Sequence, residues 1–275
     1  MINNLQKTVF CDIDGTLLND EGILLDGTIK KIQQTCANDS NFVFNLISGR
    51  PWRNEYLVFQ KLGIAPKGYL ISSNGALIYS LGLQKIVKYW EIDEVVSQLI
   101  YDKVMELTKN NPNLAFNVNY SDDPGQYAYK IKHYKTYTAN DQIACKSAFT
   151  NKHVLVFMVF SLGDQLKEFI NWIKQFNLSV LPGPNLTFIN AKEASKGNAI
   201  KYILDHDHLN IKNTAVFGNS KNDLSMFEIP DIYSVTYKTA KPYLIKIARD
   251  VVDDQPSAFV CQGIDDFLNY LNNQE

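Results

Sequence analysis

Asp12 and Asp14 stand two positions apart where the apolar run Val9-Phe10-Cys11 gives out, and Gly15 and Thr16 follow at once. Side chains two apart along an extended segment point to one side, so both carboxylates are expected to face the same way. Two like charges that close need a cation or a shared proton. Hard, oxygen-ligated Mg²⁺ meets that need and accepts a phosphate oxygen as a further ligand. Gly15 permits a tight exit from the strand, and Thr16 adds amide and hydroxyl donors for an anion.

Three further segments repeat the theme. Ser48-Gly49-Arg50 closes the run Phe42 to Ile47 with a hydroxyl and an open backbone suited to a phosphate oxygen. Lys196 opens a helix behind Ser195, a ready N-cap, so that the helix dipole adds to the lysine's pull on an anion. The run Ala215 to Phe217 ends at Gly218 and supplies Asn219, Asn222 and Asp223 before the next helix. Taken singly, each has an ordinary explanation: an Asx-type turn for D-x-D-G-T, a solvated lysine at a helix start, a turn-forming serine. All four in order describe a site for a cation and a phosphate.

Reacting groups of a parallel α/β sheet collect at the carboxyl ends of its strands, and the apolar patterning supplies such strands. KTVFCDI and NFVFNLIS read as buried strands, with DGTIKKIQQTCAND and PWRNEYLVFQKLGI as amphipathic helices between and after them. GYLISSNGALIY reads as strand, Asn74-Gly75 turn and strand. The texture changes from Gln84: a long helix at IDEVVSQLIYDKVMELTKNN, a strand at NLAFNVNY, a turn-rich SDDPGQYAY, a strand at HVLVFMVF, a helix at DQLKEFINWIKQFN, then LSVLPGPNLTFINA. After Ser195 the alternation resumes with a helix at KGNAIKYILDHDHL, strands at NTAVFGN and IYSVTY, a helix start at DLSMFEI and a helix at AKPYLIKIARDVV. The expected fold is α/β, a doubly wound, mostly parallel sheet over residues 1–83 and 188–275, with an α+β domain inserted over residues 84–187.

Composition narrows the function. A hydrophobic fraction of 45% with 20% charged residues is that of a folded globular chain. A net charge of −2 gives no global positive field, so nucleic acid is an unfavoured partner. Cys11, Cys36, Cys145 and Cys261 show no ligand or C-x-x-C spacing and read as reduced thiols of a cytoplasmic protein. No apolar run approaches the roughly 20 residues that span a bilayer. His133, His153, His206 and His208 read as surface or cap residues, and the tyrosine-rich GQYAYKIKHYKTYT as either a substrate-binding or a plain surface.

D-x-D-G-T, S-G-R, a lone K-G and G-N-x-x-N-D, in this order, resemble the four motifs of the haloacid dehalogenase-like phosphohydrolases, and the large insertion after ISSNGALIY resembles the cap of the Cof-type group. The resemblance implies a Rossmann-like core and Mg²⁺-dependent hydrolysis of small phosphate monoesters, such as sugar phosphates, by a monomer or weak homodimer. It implies Asp12 as the nucleophile that becomes an aspartyl-phosphate, Asp14 as acid and base, and Lys196 as the cation that offsets Asp12. It gives Ile13, Ser48, Gly49, Lys196 and Asn222 as the phosphate-binding set, and Asp12, Asp14, Asn219 and Asp223 as the metal set. A phosphomutase-type phosphotransferase is the alternative within the family. Asn219, where the family usually has Asp, adds the alternative of a weakened phosphometabolite-binding protein.

Overall fold

The computed structural model describes residues 5–110, 115–120, 153–160, 164–183 and 186–274. The chain divides into two units, one of residues 1–87 with 195–275 and one of residues 88–194. The first contains β1 (Lys7–Asp12), α1 (Asp26–Asn38), β2 (Phe42–Ile47), α2 (Trp52–Leu62), β3 (Tyr69–Ser72) and β4 (Leu77–Ser80), and the edge strand β5 (Lys85–Tyr89) leads out of it. The second holds α3 (Glu94–Asn110), β6 (Ala115–Tyr120), β7 (Val154–Phe160), α4 (Asp164–Ile173), β8 (Leu178–Pro182) and β9 (Leu186–Ala191). The chain completes the first unit with α5 (Lys196–His206), β10 (Thr214–Phe217), α6 (Leu224–Phe227), β11 (Tyr233–Tyr237), α7 (Pro242–Ile247), β12 (Asp250–Val252) and α8 (Phe259–Asn272).

The large sheet has the order β12-β11-β10-β1-β2-β3-β4-β5. Its pairings from β12 through β3 are parallel, and β4 is antiparallel to β3. Strand order runs away from β1 in both directions, so the switch point, where ligands of doubly wound sheets bind, lies at β1. Every residue of β2 and β10 is buried, as expected for strands covered on both faces. Val9, Cys11, Phe44 and Leu46 pack with Ile32 of α1, Val58 of α2 and Phe267 of α8, while α5 buries Ala199, Ile200 and Ile203.

The register decides what meets at the switch point. Asp12 is opposite Ile47, and Cys11 is opposite Phe217. The residues that follow these partners, Ser48 and Gly218, therefore leave the sheet level with Asp12. Three of the four motifs are thus brought to one edge by strand pairing alone.

The second unit is a four-stranded antiparallel sheet, β6-β7-β9-β8, with its own core of Ile100, Val104, Val118, Phe157, Phe169, Ile173 and Ile189. Its limits differ from the sequence reading by a few residues. β9 pairs with β7 and β8, which carries this unit past residue 187 to residue 194.

Three local expectations need correction. The stretch read as one helix through Val252 ends at Ile247, and the β-branched Val251 and Val252 extend the sheet beside β11 instead. The Asn74-Gly75 turn is no two-residue hairpin: Ser72 pairs with Leu77, which leaves four residues, 73–76, in the connection. Helix α8 was not anticipated, although its buried Phe259, Val260, Gly263, Ile264, Phe267 and Leu271 follow helical spacing. SDDPGQYAY, GQYAYKIKHYKTYT, His133 and Cys145 lie outside the described residues.

Candidate active site

β1 ends at Asp12, whose side chain lies in the interior with 4% of the residue exposed. The chain then turns: the Asp12 carbonyl accepts from the Leu17 amide at 3.1 Å, and the Ile13 carbonyl accepts from Thr16 and Leu18 at 3.3 and 2.8 Å. Asp14 is therefore not on the strand, and strand alternation no longer governs it. Its carboxylate is 60% exposed and takes two bonds from Arg50, Nε at 2.9 Å and Nη2 at 2.5 Å. The two aspartates of the first motif thus differ in burial and in the cation each is bonded to.

The cation of Asp12 is Lys196. Ser195 caps α5 by accepting the Asn198 amide at 3.1 Å, so the helix starts at Lys196. Its side chain is fully buried, and Nζ donates to Asp12 Oδ1 and Asp223 Oδ1, each at 2.6 Å. Burial opposes the ammonium, but the two carboxylates outweigh it and hold the Lys196 pKa above its usual range. Burial and the charge of Asp223 raise the Asp12 pKa, and Lys196 works against them. Two carboxylates around one ammonium leave an excess negative charge in a dry place. That excess disfavours an anion until a further cation joins.

Asp223 organises the loop after β10. Its Oδ2 accepts the Asn219 amide at 2.9 Å and the Ser220 amide at 2.8 Å, while Oδ1 is held by Lys196. Both of its oxygens are engaged. Asn219 links this loop to the first: Nδ2 donates to the Gly15 carbonyl at 2.9 Å, and the Tyr237 hydroxyl donates to the same carbonyl at 3.1 Å. That bond fixes the orientation of the amide and turns Oδ1 into a buried acceptor without a partner among the described residues. A buried acceptor left unpaired is costly, and a hard cation would satisfy it. No group of three or more His, Cys, Asp or Glu side chains disposed to hold a metal occurs among the described residues. Asp12 and the orphaned Asn219 oxygen nevertheless make a mixed carboxylate and amide donor set that fits Mg²⁺.

Ser48 closes the set at the end of β2. Its amide donates to the Ile71 carbonyl at 2.8 Å, and its Oγ, almost fully buried, accepts the Arg50 amide at 3.1 Å. The Asn222 side chain donates to Asn74 at 3.0 Å. All the expected site residues, Asp12, Ile13, Asp14, Ser48, Gly49, Lys196, Asn219, Asn222 and Asp223, belong to the first unit.

The structure adds groups that motif spacing did not single out: Tyr237, Asn74 and Glu55. Glu55 is fully buried on the core face of α2, and neither carboxylate oxygen has a partner among the described residues. Its burial, with the charges of Asp12 and Asp14 against those of Lys196 and Arg50, pushes its pKa well up. A carboxyl among Val58, Phe59 and Leu62 on that face breaks the amphipathic pattern, and that break was the available signal. Of the histidines, His153 pairs with Glu91, and His206 with Asp207 at 2.7 Å. Cys11, Cys36 and Cys261 are free thiols. No helix among the described residues is long and apolar enough to cross a membrane.

A doubly wound sheet with two carboxylates around a buried lysine at its switch point defines an α/β protein with a charged site there, and comparison with known proteins gives its family. The haloacid dehalogenase-like hydrolase family matches residues 9–264, and the chain belongs to that family. A candidate phosphatase of Buchnera aphidicola is 31% identical over 80% of this chain and 82% of its own length. A candidate phosphatase of Streptococcus pyogenes is 25% identical over 94% of this chain and 97% of its own. Among solved structures, a sugar phosphatase of haloacid dehalogenase subclass IIB superposes with a TM-score of 0.74 at 19% identity, covering 97% of this chain and 99% of that one. A haloacid dehalogenase-like hydrolase of Bacillus subtilis superposes at 0.71 with 21% identity, covering 90% and 94%. In family the chain is thus a haloacid dehalogenase-like hydrolase, and the superpositions show that it shares the fold of these structures.

Proposed function

We propose that this hydrolase cleaves small phosphate monoesters, sugar phosphates or related metabolites, with Mg²⁺ as cofactor, through a phosphorylated Asp12. The observation that carries this reading is the buried Lys196 ammonium. It spends two of its three donors on Asp12 and Asp223 and keeps one for an anion beside the Asp12 oxygen that would attack it. The sugar phosphatase among the structural neighbours supports the substrate class.

Asp12 attacks phosphorus, an oxygen–phosphorus bond forms, and the bond to the leaving oxygen breaks. Asp14, whose two oxygens accept from Arg50 in this structure, must leave that pair and take up a proton from solvent before it can give one to the leaving oxygen. In the second half Asp14 takes a proton from water, which attacks phosphorus, and inorganic phosphate leaves with Asp12 regenerated. Ser48 and Lys196 hold the phosphoryl oxygens, and Lys196 lets an anionic nucleophile approach an anionic group. Asp12, the main-chain carbonyl of Asp14 and Asn219 Oδ1 would hold Mg²⁺, which when bound supplies the positive charge that the buried carboxylates lack. Asp223 serves Lys196 and the loop amides, and the lone pair left on its Oδ1 would let it join this set.

Turnover of an aryl phosphate, followed with Mg²⁺ and with EDTA in the wild type and in Asp12→Asn, tests the reading. Metal-dependent turnover that vanishes in the nearly isosteric variant, with the fold retained, is the expected result. Comparable activity in the variant would remove Asp12 as the nucleophile. Phosphate binding by the wild type without turnover would favour the binding-protein alternative that the neutral Asn219 suggests. A panel of phosphorylated metabolites then ranks substrates.

A further inference from the structure

The connection between β3 and β4 carries a hydrogen-bond donor to which the reaction above gives no role. Ser73, Asn74 and Gly75 all adopt positive φ, at 53°, 60° and 93°. Two successive non-glycine residues in this region are strained and persist only when their surroundings impose it. Here the Ser73 amide donates to the Arg50 carbonyl and the Asn74 amide to the Ser48 carbonyl, each at 2.9 Å. Both acceptors belong to the phosphate loop of the second motif. The turn also lies against the start of α5, because a Cβ on Gly75 would come within 2.2 Å of the Ser195 carbonyl oxygen. It is wedged between the loop of Ser48 and the helix end that carries Lys196.

A relay of hydrogen bonds fixes the orientation of the Asn74 amide. The Ser220 hydroxyl donates to Asn222 Oδ1 at 2.6 Å, and Asn222 Nδ2 donates to Asn74 Oδ1 at 3.0 Å. Asn74 Nδ2 is thereby left buried, with no acceptor among the described residues for either of its hydrogens. The amide rests on Gly49, where a Cβ would be 3.1 Å from Oδ1 and 3.7 Å from Nδ2. A buried, oriented and unspent donor is costly unless a ligand uses it. Its neighbours share the deficit: among the described residues Lys196 keeps one N–H unused, and the Ser48 hydroxyl accepts from Arg50 but finds no acceptor of its own. An oxyanion with several equivalent oxygens matches three such donors.

We propose that Asn74 is a further phosphate-binding residue, whose Nδ2 donates to a non-bridging oxygen of the phosphoryl group and whose orientation is set by Asn222. The assignment rests on the phosphohydrolase reading and gives the strained turn a function. Asn222 then acts on the phosphate partly through Asn74 and is in that part a positioning residue.

The test is calorimetric titration of inorganic phosphate into the wild type, Asn74→Asp and Asn74→Gly, with the thermal midpoint of each free protein read alongside. Both replacements tolerate positive φ. Aspartate keeps an acceptor for Asn222 but sets an acceptor where the donor was; glycine deletes the donor and relieves the strain. The Kd for phosphate should rise roughly ten- to a hundred-fold in the aspartate variant and about ten-fold in the glycine variant, as loss of a bond to a charged group requires. The midpoint of the glycine variant should stay near the wild-type value, and that of the aspartate variant should fall while the protein remains folded, because a further charge is buried. Affinity within two-fold of wild type in either folded variant would overturn the assignment and leave Asn74 a turn former. If the wild type itself neither binds phosphate nor turns over an aryl phosphate, the phosphohydrolase reading falls and takes this assignment with it. If the wild type does both while the variants bind normally, only Asn74 is lost.

Discussion

The Asn219 amide has two ends in different circumstances: Nδ2 donates to the Gly15 carbonyl, and Oδ1 is buried without a partner among the described residues. Aspartate at this position would restore the charge common in the family and tighten Mg²⁺ binding, yet it would set a carboxylate oxygen against the Gly15 carbonyl, 2.9 Å away. Losing that donor is expected to cost about 1–3 kcal/mol. Asn219→Asp should therefore lower the Mg²⁺ concentration for half-maximal activity while lowering the thermal midpoint in EDTA, by about 2–4 °C for each kcal/mol. A midpoint in EDTA equal to that of the wild type would contradict the Gly15 contact. Glu55 offers a test in pH. Its neutral form is favoured on folding, so the folded pKa is raised, and the contribution present below the unfolded pKa of about 4.5 is lost as pH rises towards the folded value. The charges that act on it, Asp12 and Asp14 against Lys196 and Arg50, do not offset its burial. Glu55→Gln should match the wild type near pH 4 and be more stable at alkaline pH. A stability difference between the two that does not change with pH would show that Glu55 is not held neutral.

At the scale of elements, the site depends on the distance at which α5 approaches the turn after β3. Gly75 and Gly22 both have positive φ, but a Cβ on Gly75 would be 2.2 Å from the Ser195 carbonyl oxygen, whereas one on Gly22 would meet nothing within 4 Å. Gly22→Ala should cost only the strain of a left-handed L-residue, about 1–2 kcal/mol. Gly75→Ala should cost more than about 2 kcal/mol, because the first turn of α5 must move, and with it Lys196. Denaturant unfolding of the two variants checks the difference, and similar losses would show that the close packing of the turn on α5 is unimportant. Activity should follow the same order, since Lys196 pairs with Asp12 only where α5 begins.

At the scale of the molecule, the two units have separate apolar cores, one around Val9, Phe44 and Phe267 and one around Phe157, Phe169 and Ile189. Phe157→Ala should remove about 3–5 kcal/mol from the second. Inorganic phosphate, binding at the ends of β1, β2 and β10, should raise the melting of the first unit by mass action. Calorimetry of this variant should resolve a low-temperature transition that phosphate does not shift; one that shifts in parallel with the main transition would count against the assignment of phosphate to the first unit. Much of this organisation is legible in the sequence. Apolar runs that stop at Asp12, Ser48 and Gly218, and a serine placed to cap the helix of Lys196, encode strand ends and a helix start within a few residues of each motif. The different burial and cationic partners of Asp12 and Asp14 are not legible, because they turn on β1 ending at Asp12 and on Arg50 being within reach. Nor does the sequence tell that Lys196 lies between two carboxylates, one of them 184 positions away, that Glu55 is buried without a partner among the described residues, or that the Asn74 amide is turned by Asn222. Periodicity and capping are local properties of the chain, whereas the partner of a buried polar group is set by strand order and register, which bring together residues the sequence keeps far apart.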